Sequence, residues 1–129
     1  MFKKRWNVTT GDELKTMKDH TGIVRRLVLL NNGKMLASAS FDTTIKIWDL
    51  SGFGSVVWTL RGHTKEITGM IELKDRGYLA SSSRDQTIRI WNPLAGSLIK
   101  TLNGYGKECY GLAQINNNGL LARYTFIIY

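Results

Sequence analysis

The sequence has few of the residues that build disulfides and metal centres. Among 129 residues it contains one cysteine, Cys109, and two histidines, His20 and His63. A single thiol cannot form an internal disulfide, and its isolation is typical of a reducing compartment. So few thiol and imidazole groups also fall short of the ligand sets that zinc prefers. The sequence therefore predicts no metal site and no cofactor.

Long apolar stretches are missing as well. No run approaches the roughly 20 residues of a membrane-spanning helix. Met1 to Arg5 is followed by polar residues, whereas a signal peptide would continue with an apolar segment. We therefore expect an intracellular protein, cytoplasmic or nuclear, that does not cross a membrane. The hydrophobic content of 43% and the charged content of 22% are typical of a globular fold.

Acidic residues are outnumbered by basic ones. The chain has 10 Asp and Glu residues against 18 Lys and Arg residues, which gives a formal net charge of +8. Such an excess favours acidic partners, so binding to nucleic acid or to another acidic surface is an alternative function. The basic residues are scattered, however, with short clusters only at Lys3–Arg5 and Arg25–Arg26. This pattern is more typical of a solvated surface than of a binding groove, so the alternative is not favoured.

What the sequence does contain is an internal repeat. The stretch from Leu79 to Asn92 occurs almost residue for residue from Leu36 to Asp49, and a histidine precedes each copy at the same offset of 43 residues. A period in the low forties, with several short strands in each unit, is typical of β-propeller blades.

The first whole unit, residues 18–60, has the pattern of an antiparallel meander. Val24 to Leu30 and Met35 to Ser40 are strand-like runs separated by turn-forming residues, and Ile45 and Ile47 alternate with polar or aromatic neighbours. The second unit, residues 61–102, repeats this plan. Residues 1–17 are predicted to be the outer strand of an incomplete preceding unit, and residues 103–129 a truncated, degenerate third unit.

These residues resemble the WD-repeat family of β-propellers, which includes the G-protein β subunit. The signature pairs are intact at Gly62-His63 and Trp48-Asp49, whereas Trp91-Asn92 keeps only the aromatic residue. The resemblance covers two full repeats and partial repeats at both ends. It implies an all-β fold of four-stranded antiparallel blades, with about two complete blades and a partial third, forming an incomplete propeller.

The resemblance also implies a hydrogen-bonded structural network inside each blade. The network joins a histidine, the aspartate of a tight turn, a serine of the second strand and a tryptophan indole. Carried over, it comprises His20, Asp42, Ser38 or Ser40, and Trp48 in the first unit, and His63, Asp85, Ser81 or Ser83, and Trp91 in the second. The spacing does not choose between the two serines of each unit.

A serine, a histidine and an aspartate in each unit also raise the question of a hydrolase. The sequence has nothing like the Gly-x-Ser-x-Gly elbow of a nucleophilic serine. The same set moreover occurs twice at a fixed register, which a structural network predicts and a single active site does not. Cys109 takes the strand position of Ile67, so we expect a buried hydrophobic side chain and not a nucleophile. We predict no catalytic residue and no enzyme activity.

The family resemblance implies a rigid scaffold that binds other proteins or peptides. Its members often bind on the rim where the first strands begin and where the turns between the second and third strands emerge. Aromatic and arginine side chains dominate binding hot spots, which favours Phe41 and Arg84. The candidate partner contacts at these positions are Ile23, Phe41, Glu66, Arg84 and Glu108.

The number of units is smaller than the roughly four to eight blades of a propeller. Two explanations remain open. The chain is a fragment of a longer propeller, which the abrupt loss of the repeat at Arg123 to Tyr129 favours, or two copies complete a ring by self-association.

Overall fold

The computed structural model describes residues 2–6, 8–52, 54–74, 76–103, 108–114 and 121–124. In this part of the chain it is an all-β protein of twelve strands. They are β1 (Phe2–Trp6), β2 (Glu13–Lys18), β3 (Val24–Leu30), β4 (Met35–Ser40), β5 (Ile45–Asp49), β6 (Val56–Leu60), β7 (Ile67–Leu73), β8 (Tyr78–Ser83), β9 (Thr87–Asn92), β10 (Ser97–Asn103), β11 (Gly111–Gln114) and β12 (Leu121–Tyr124). Much of the predicted third unit, including residues 125–129, lies outside the described residues.

Two four-stranded antiparallel sheets form the body of the molecule. Blade 1 has the strand order β3-β4-β5-β6, and blade 2 has the corresponding order β7-β8-β9-β10. Each strand pairs with its neighbour in the chain, as alternating strands joined by short turns require. This confirms the predicted four-stranded meanders.

Residues 43 positions apart in the sequence occupy equivalent positions in the strand pairing of the two blades. Leu36 pairs with Trp48 in blade 1, and Leu79 pairs with Trp91 in blade 2. Because paired residues share a face of the sheet, the same side chains are brought together in both blades.

The larger core lies between the two blades. Side chains alternate along each strand, so blade 1 presents one face to blade 2 and receives one face of it in return. The buried residues of this cluster include Ala37, Ala39, Ile45 and Ile47 from blade 1, and Ile67, Met70, Leu79 and Trp91 from blade 2. Fully burying one such aliphatic side chain contributes roughly 1.5–3 kcal/mol, so this interface is a major stabilising element.

The opposite face of blade 2 packs against the segment that leads into β11. Ile88 and Ile90 lie in a second cluster with Cys109, which is fully buried. The Thr68 hydroxyl donates a hydrogen bond to the Cys109 carbonyl, and the Cys109 N–H lies 3.4 Å from the Ser83 carbonyl oxygen. The thiol is therefore a packing group, as predicted.

Two smaller sheets flank the blades. β1 pairs with β2 before blade 1, and β11 pairs with β12 after blade 2. Within the described ranges the four sheets do not close into a ring. None of the described residues forms a helix long and apolar enough to cross a bilayer.

A tryptophan joins the outer strands of the two blades. The Trp58 indole on β6 donates a hydrogen bond of 3.3 Å to the Leu94 carbonyl in the turn before β10. The same ring covers Gly96, where an added Cβ would lie 2.6 Å from the Trp58 Cε3 atom. The bare Gly96 backbone is thus what lets the indole lie flat against blade 2.

Candidate functional site

Blade 2 contains a continuous chain of hydrogen bonds that joins four of the predicted network residues. The indole Nε1 of Trp91 lies 2.8 Å from the Ser81 Oγ, and the same Oγ lies 2.7 Å from the Nε2 of His63. The other ring nitrogen of His63, Nδ1, lies 2.7 Å from Asp85 Oδ2. The chain runs from the middle of the sheet to the tight turn between β8 and β9.

Blade 1 contains the same chain with nearly the same distances. Trp48 Nε1 and His20 Nε2 each lie 2.8 Å from the Ser38 Oγ. His20 Nδ1 lies 2.6 Å from Asp42 Oδ2. The repeat is therefore one of side-chain contacts as well as of residue types.

The chemistry of the groups sets the direction of every hydrogen bond. An indole N–H can only donate and an ionised carboxylate can only accept. Ser81 therefore accepts from Trp91 and donates its hydroxyl proton to His63 Nε2, so the neutral imidazole donates its Nδ1 proton to Asp85. Every polar atom in this chain has a partner, which is what a buried network needs in order to stabilise a fold.

The structure assigns different roles to the two serines of each blade. Ser38 and Ser81 lie in the hydrogen-bonded chain. The Ser40 and Ser83 hydroxyls instead accept the turn N–H groups of Asp42 and Asp85, at 3.1 Å and 3.0 Å. All four side chains are fully buried.

Sequence reasoning missed a threonine that completes each network. The Thr44 hydroxyl donates to Asp42 Oδ1 at 2.6 Å, and the Thr87 hydroxyl donates to Asp85 Oδ1 at 2.7 Å. Both threonines stand two residues after the turn aspartate, so the signal was present in the repeat. An aspartate commonly bonds a group two residues ahead in a tight turn.

Burial and hydrogen bonding keep the aspartates of the network ionised and His63 neutral. Burial raises the pKa of Asp42, but hydrogen bonds from Thr44 and His20 outweigh it and bring the pKa to about 2. Burial lowers the pKa of His63, the hydrogen bond and charge of Asp85 oppose that effect, and the nearby charge of Arg89 adds to the lowering. At neutral pH the aspartates are ionised and His63 is neutral, as the direction of the hydrogen bonds requires.

The same geometry removes the serines from any role as nucleophiles. Ser38 and Ser81 have no exposed surface. Each Oγ is also occupied by an indole N–H, which lowers its availability to an incoming carbonyl carbon. The arrangement holds a turn and a strand together and does not present a reactive group.

A cluster of charged residues lies where the first strand of blade 2 begins. Arg84 Nη1 is 3.8 Å from Glu66 Oε1, and Arg84 Nε is 3.7 Å from Glu108 Oε2. Tyr110 lies beside them: the Arg84 Cζ is 6.0 Å from its ring centroid, and its hydroxyl donates to Glu108. That hydrogen bond raises the pKa of Tyr110. The three charged side chains are each 36–40% exposed, so solvent and partners can reach them.

The two other candidate contacts lie at the equivalent place in blade 1. The Phe41 N–H donates to the Ile23 carbonyl at 2.8 Å, just as the Arg84 N–H donates to the Glu66 carbonyl at 3.1 Å. Ile23 is 50% exposed, and Phe41 is partly buried. The five candidates thus form an apolar pair on blade 1 and a charged cluster on blade 2, to which the structure adds Tyr110.

The blades differ at one cation, which is buried in blade 1 and partly buried in blade 2. In blade 1 the Lys46 ammonium lies 2.5 Å from Asp19 Oδ2 and 3.1 Å from the Thr59 hydroxyl. Blade 2 has Arg89 at the position of Lys46 and Gly62 at that of Asp19. An added Cβ at Gly62 would lie 2.6 Å from Arg89 Nη1, so the guanidinium occupies the space that an acidic side chain would need.

Comparison with known proteins agrees with this geometry. The family model described as "WD domain, G-beta repeat" matches residues 11–49 and 54–92. WD repeat and SOCS box-containing protein 1 of Danio rerio is 46% identical over 55 residues, which are 42% of this chain and 13% of that protein. Eukaryotic translation initiation factor 3 subunit I of Culex quinquefasciatus is 46% identical over 44 residues, which are 34% of this chain and 13% of that protein.

A solved structure extends the match to most of the fold. The WD40 β-propeller domain of Doa1 superposes with a TM-score of 0.79 at 26% identity, over 89% of this chain and 38% of that one. The chain therefore spans about an eighth of the length of these curated relatives and somewhat over a third of the solved domain. Because the family model covers more than half of the chain and the two blades carry its repeat geometry, the chain belongs to the WD40 repeat family of β-propellers.

Proposed function

We propose that this chain is a non-catalytic scaffold that binds other intracellular proteins through the rim formed by Ile23, Phe41, Glu66, Arg84 and Glu108. WD40 propellers typically act as protein-interaction scaffolds, and one relative is named as a subunit of a translation initiation factor. The observation that carries the proposal is that different residues of each blade form the internal network and the exposed rim. The serine, histidine and aspartate are committed to internal hydrogen bonds, whereas the rim side chains are accessible.

The rim has the composition of a binding surface. Arg84 stands between two carboxylates at distances longer than a direct hydrogen bond, and its Nε has no hydrogen-bond partner among the described residues. An arginine held loosely in this way is free to exchange an internal contact for one with a partner. Tyr110 and Phe41 add the aromatic surface that hot spots favour.

Substitution of rim residues tests the proposal. Photo-crosslinking at the rim followed by mass spectrometry identifies bound proteins, and Arg84→Ala combined with Phe41→Ala should abolish their capture. The matched control is Lys100→Ala on β10, an exposed residue of the outer strand. Capture that survives the rim substitutions and is lost with Lys100→Ala contradicts the proposal.

We also propose that the outer face of blade 1 is covered by a second copy of this chain. Leu27 and Leu29 on β3 are 53% and 59% exposed. Met70 stands 43 residues after Leu27 and is only 4% exposed, because blade 1 covers that face of blade 2. In blade 2 the face that contains Met70 packs against another blade. We therefore expect the matched face of blade 1, which contains Leu27 and Leu29, to pack against a blade of a second copy.

The molar mass in solution tests this second proposal. Light scattering should give a discrete dimer for the wild-type chain and a monomer for Leu27→Glu combined with Leu29→Glu. Val57→Glu, at a side chain that is 43% exposed on the outer strand β6, is the control and should leave the dimer intact. A wild-type monomer, or a dimer that survives the double substitution, contradicts self-association through this face.

A further inference from the structure

Blade 2 holds a cation, Arg89, that no carboxylate of the described residues neutralises. Within the part of the chain that the structure describes, Arg89 makes no ion pair, and its Nε is buried without a hydrogen-bond partner. Leaving a buried charged donor unpaired is costly, and an arginine in this state is normally matched by a carboxylate or a phosphate.

The matched cation of blade 1, Lys46, has an internal carboxylate partner that Arg89 lacks among the described residues. Lys46 is 7% exposed and is neutralised by Asp19 at 2.5 Å. In blade 2 the carboxylate is replaced by Gly62, an exposed residue of the connection between β6 and β7. Blade 2 keeps the glycine of the signature pair, whereas blade 1 has Asp19 in its place, so the guanidinium of Arg89 lies beside an exposed backbone with no carboxylate at the matched position.

The surroundings of Arg89 favour an anion from outside. Arg61 and Lys65 in the same connection are both exposed. Two acidic residues in this region are already engaged, since Asp85 accepts from His63 and from the Thr64 N–H, and Glu66 Oε1 lies 3.8 Å from Arg84 Nη1. The local charge is therefore positive, in a chain whose net charge is +8.

We propose that Arg89, assisted by Arg61 and Lys65, binds a carboxylate from an acidic segment of a partner protein at Gly62. The partner's aspartate or glutamate would approach the guanidinium from the solvent side of Gly62 and supply the negative charge that Asp19 supplies to Lys46 in blade 1. A planar guanidinium can pair with both oxygens of a carboxylate, which gives the contact direction as well as charge. The inference rests on the proposed scaffold function, to which it adds the chemical class of the partner.

The test uses the full chain and a fluorescein-labelled peptide of eight residues that contains four glutamates. The wild type should bind this peptide, with an affinity that falls as salt rises, and should not bind the matched peptide with four glutamines. Arg89→Met should weaken binding about tenfold, a typical effect for losing one charged contact. Arg89→Lys, which keeps the charge and loses the planar fork, should lie between the two.

Lys46→Met provides the matched control in blade 1. It removes a cation that already has an internal partner, so peptide binding should be unchanged, whereas its thermal midpoint should fall. Arg89→Met removes no internal ion pair, so its midpoint should stay at or above that of the wild type. The opposite pattern of the two variants separates a binding role from a structural one.

Three results would overturn the inference. These are no binding of the glutamate peptide by the wild type, equal binding by Arg89→Met, and preferential Arg89-dependent binding of inorganic phosphate or a thymidine oligonucleotide, which would indicate a nucleic-acid site. None of these results tests binding at the rim residues. Capture that depends on Arg84 and not on Arg89 removes only this inference, whereas capture indifferent to Arg84 and Phe41 removes the scaffold proposal itself.

Discussion

Blade 1 and blade 2 share the groups that hold their turns and differ in the groups around them. The distances of the two hydrogen-bonded chains agree to about 0.1 Å. The cation of blade 1, Lys46, is neutralised by Asp19, whereas Arg89 in blade 2 has no ion pair among the residues that the structure describes. The residues that hold the turns are therefore the same in both blades, whereas the residues around the cation differ.

Removal of the turn aspartate from one blade should cause the largest loss of stability. Asp85→Ala removes the acceptor of four hydrogen bonds, from His63 Nδ1, from the Thr64 and Thr87 N–H groups and from the Thr87 hydroxyl. We expect the free energy of unfolding to fall by about 3 kcal/mol in urea denaturation. Asp42→Ala should cost the same, because Asp42 accepts the same four bonds in blade 1.

The amide substitution is the control for that experiment. Asp85→Asn keeps an oxygen for the turn and should therefore cost less than Asp85→Ala. A cost below about 1 kcal/mol for both alanine variants would show that the networks are not what stabilises the blades.

The junction of the blades is tested next. Gly96 has a φ of +66° and lies under Trp58, whereas Gly77 has a φ of +64° with open space around it. Gly77→Ala should cost about 1 kcal/mol through backbone strain alone. Gly96→Ala should cost about 2 to 3 kcal/mol because it also displaces the indole. Equal thermal shifts for the two variants would mean that the Trp58 contact contributes nothing.

A smaller contrast is expected at the connections that precede the first strands. An added Cβ at Gly22 would lie 2.7 Å from the Asp42 backbone nitrogen, so Gly22→Ala should cost about 1 to 2 kcal/mol. Blade 2 has the exposed Lys65 at the corresponding position, and Lys65→Ala should stay within about 0.5 kcal/mol of the wild type. Chemical denaturation of both variants checks this, and a neutral Gly22→Ala would refute the close approach.

The smallest effect concerns the titration of His63. Burial, and to a lesser degree the charge of Arg89, lowers the pKa of His63 below 6.5, so the unfolded chain takes up this proton first as the pH falls. The stability contributed by the neutral ring is therefore present above pH 6.5 and declines below it. Arg89→Met should raise the pKa of His63.

Nuclear magnetic resonance of the imidazole protons of His63 measures this shift in the wild type and in Arg89→Met. A His63 titration that is unchanged by Arg89→Met would show that the guanidinium does not act on the ring.

Much of the fold was predictable because the repeat carries strand signals twice. Val24–Leu30, Ile67–Leu73 and Tyr78–Ser83 coincide with the predicted strands. The alternation of apolar residues and the turn chemistry between strands encode these boundaries locally.

The features that the sequence did not reveal depend on distances between side chains and not on the repeat pattern. Ser38 and Ser40 lie on the same face of β4, two residues apart, so periodicity alone did not distinguish them. Only the distances to His20 and Trp48 show that Ser38 joins the network. The contact of Trp58 with Gly96 crosses between blades, beyond any local pattern. The unpaired state of Arg89 is likewise a property of its surroundings.

The meander order of the blades affects the order in which parts of the chain fold. Every strand of a blade pairs only with its neighbour in the chain, so each hairpin closes a short loop. Short loops cost little entropy to close, so each blade can form hairpin by hairpin before the two blades pack together. The contact of Trp58 with Leu94 joins residues 36 apart and requires both blades to be in place. We therefore expect the Trp58 fluorescence to change in the last kinetic phase of refolding, after the β-sheet signal has formed.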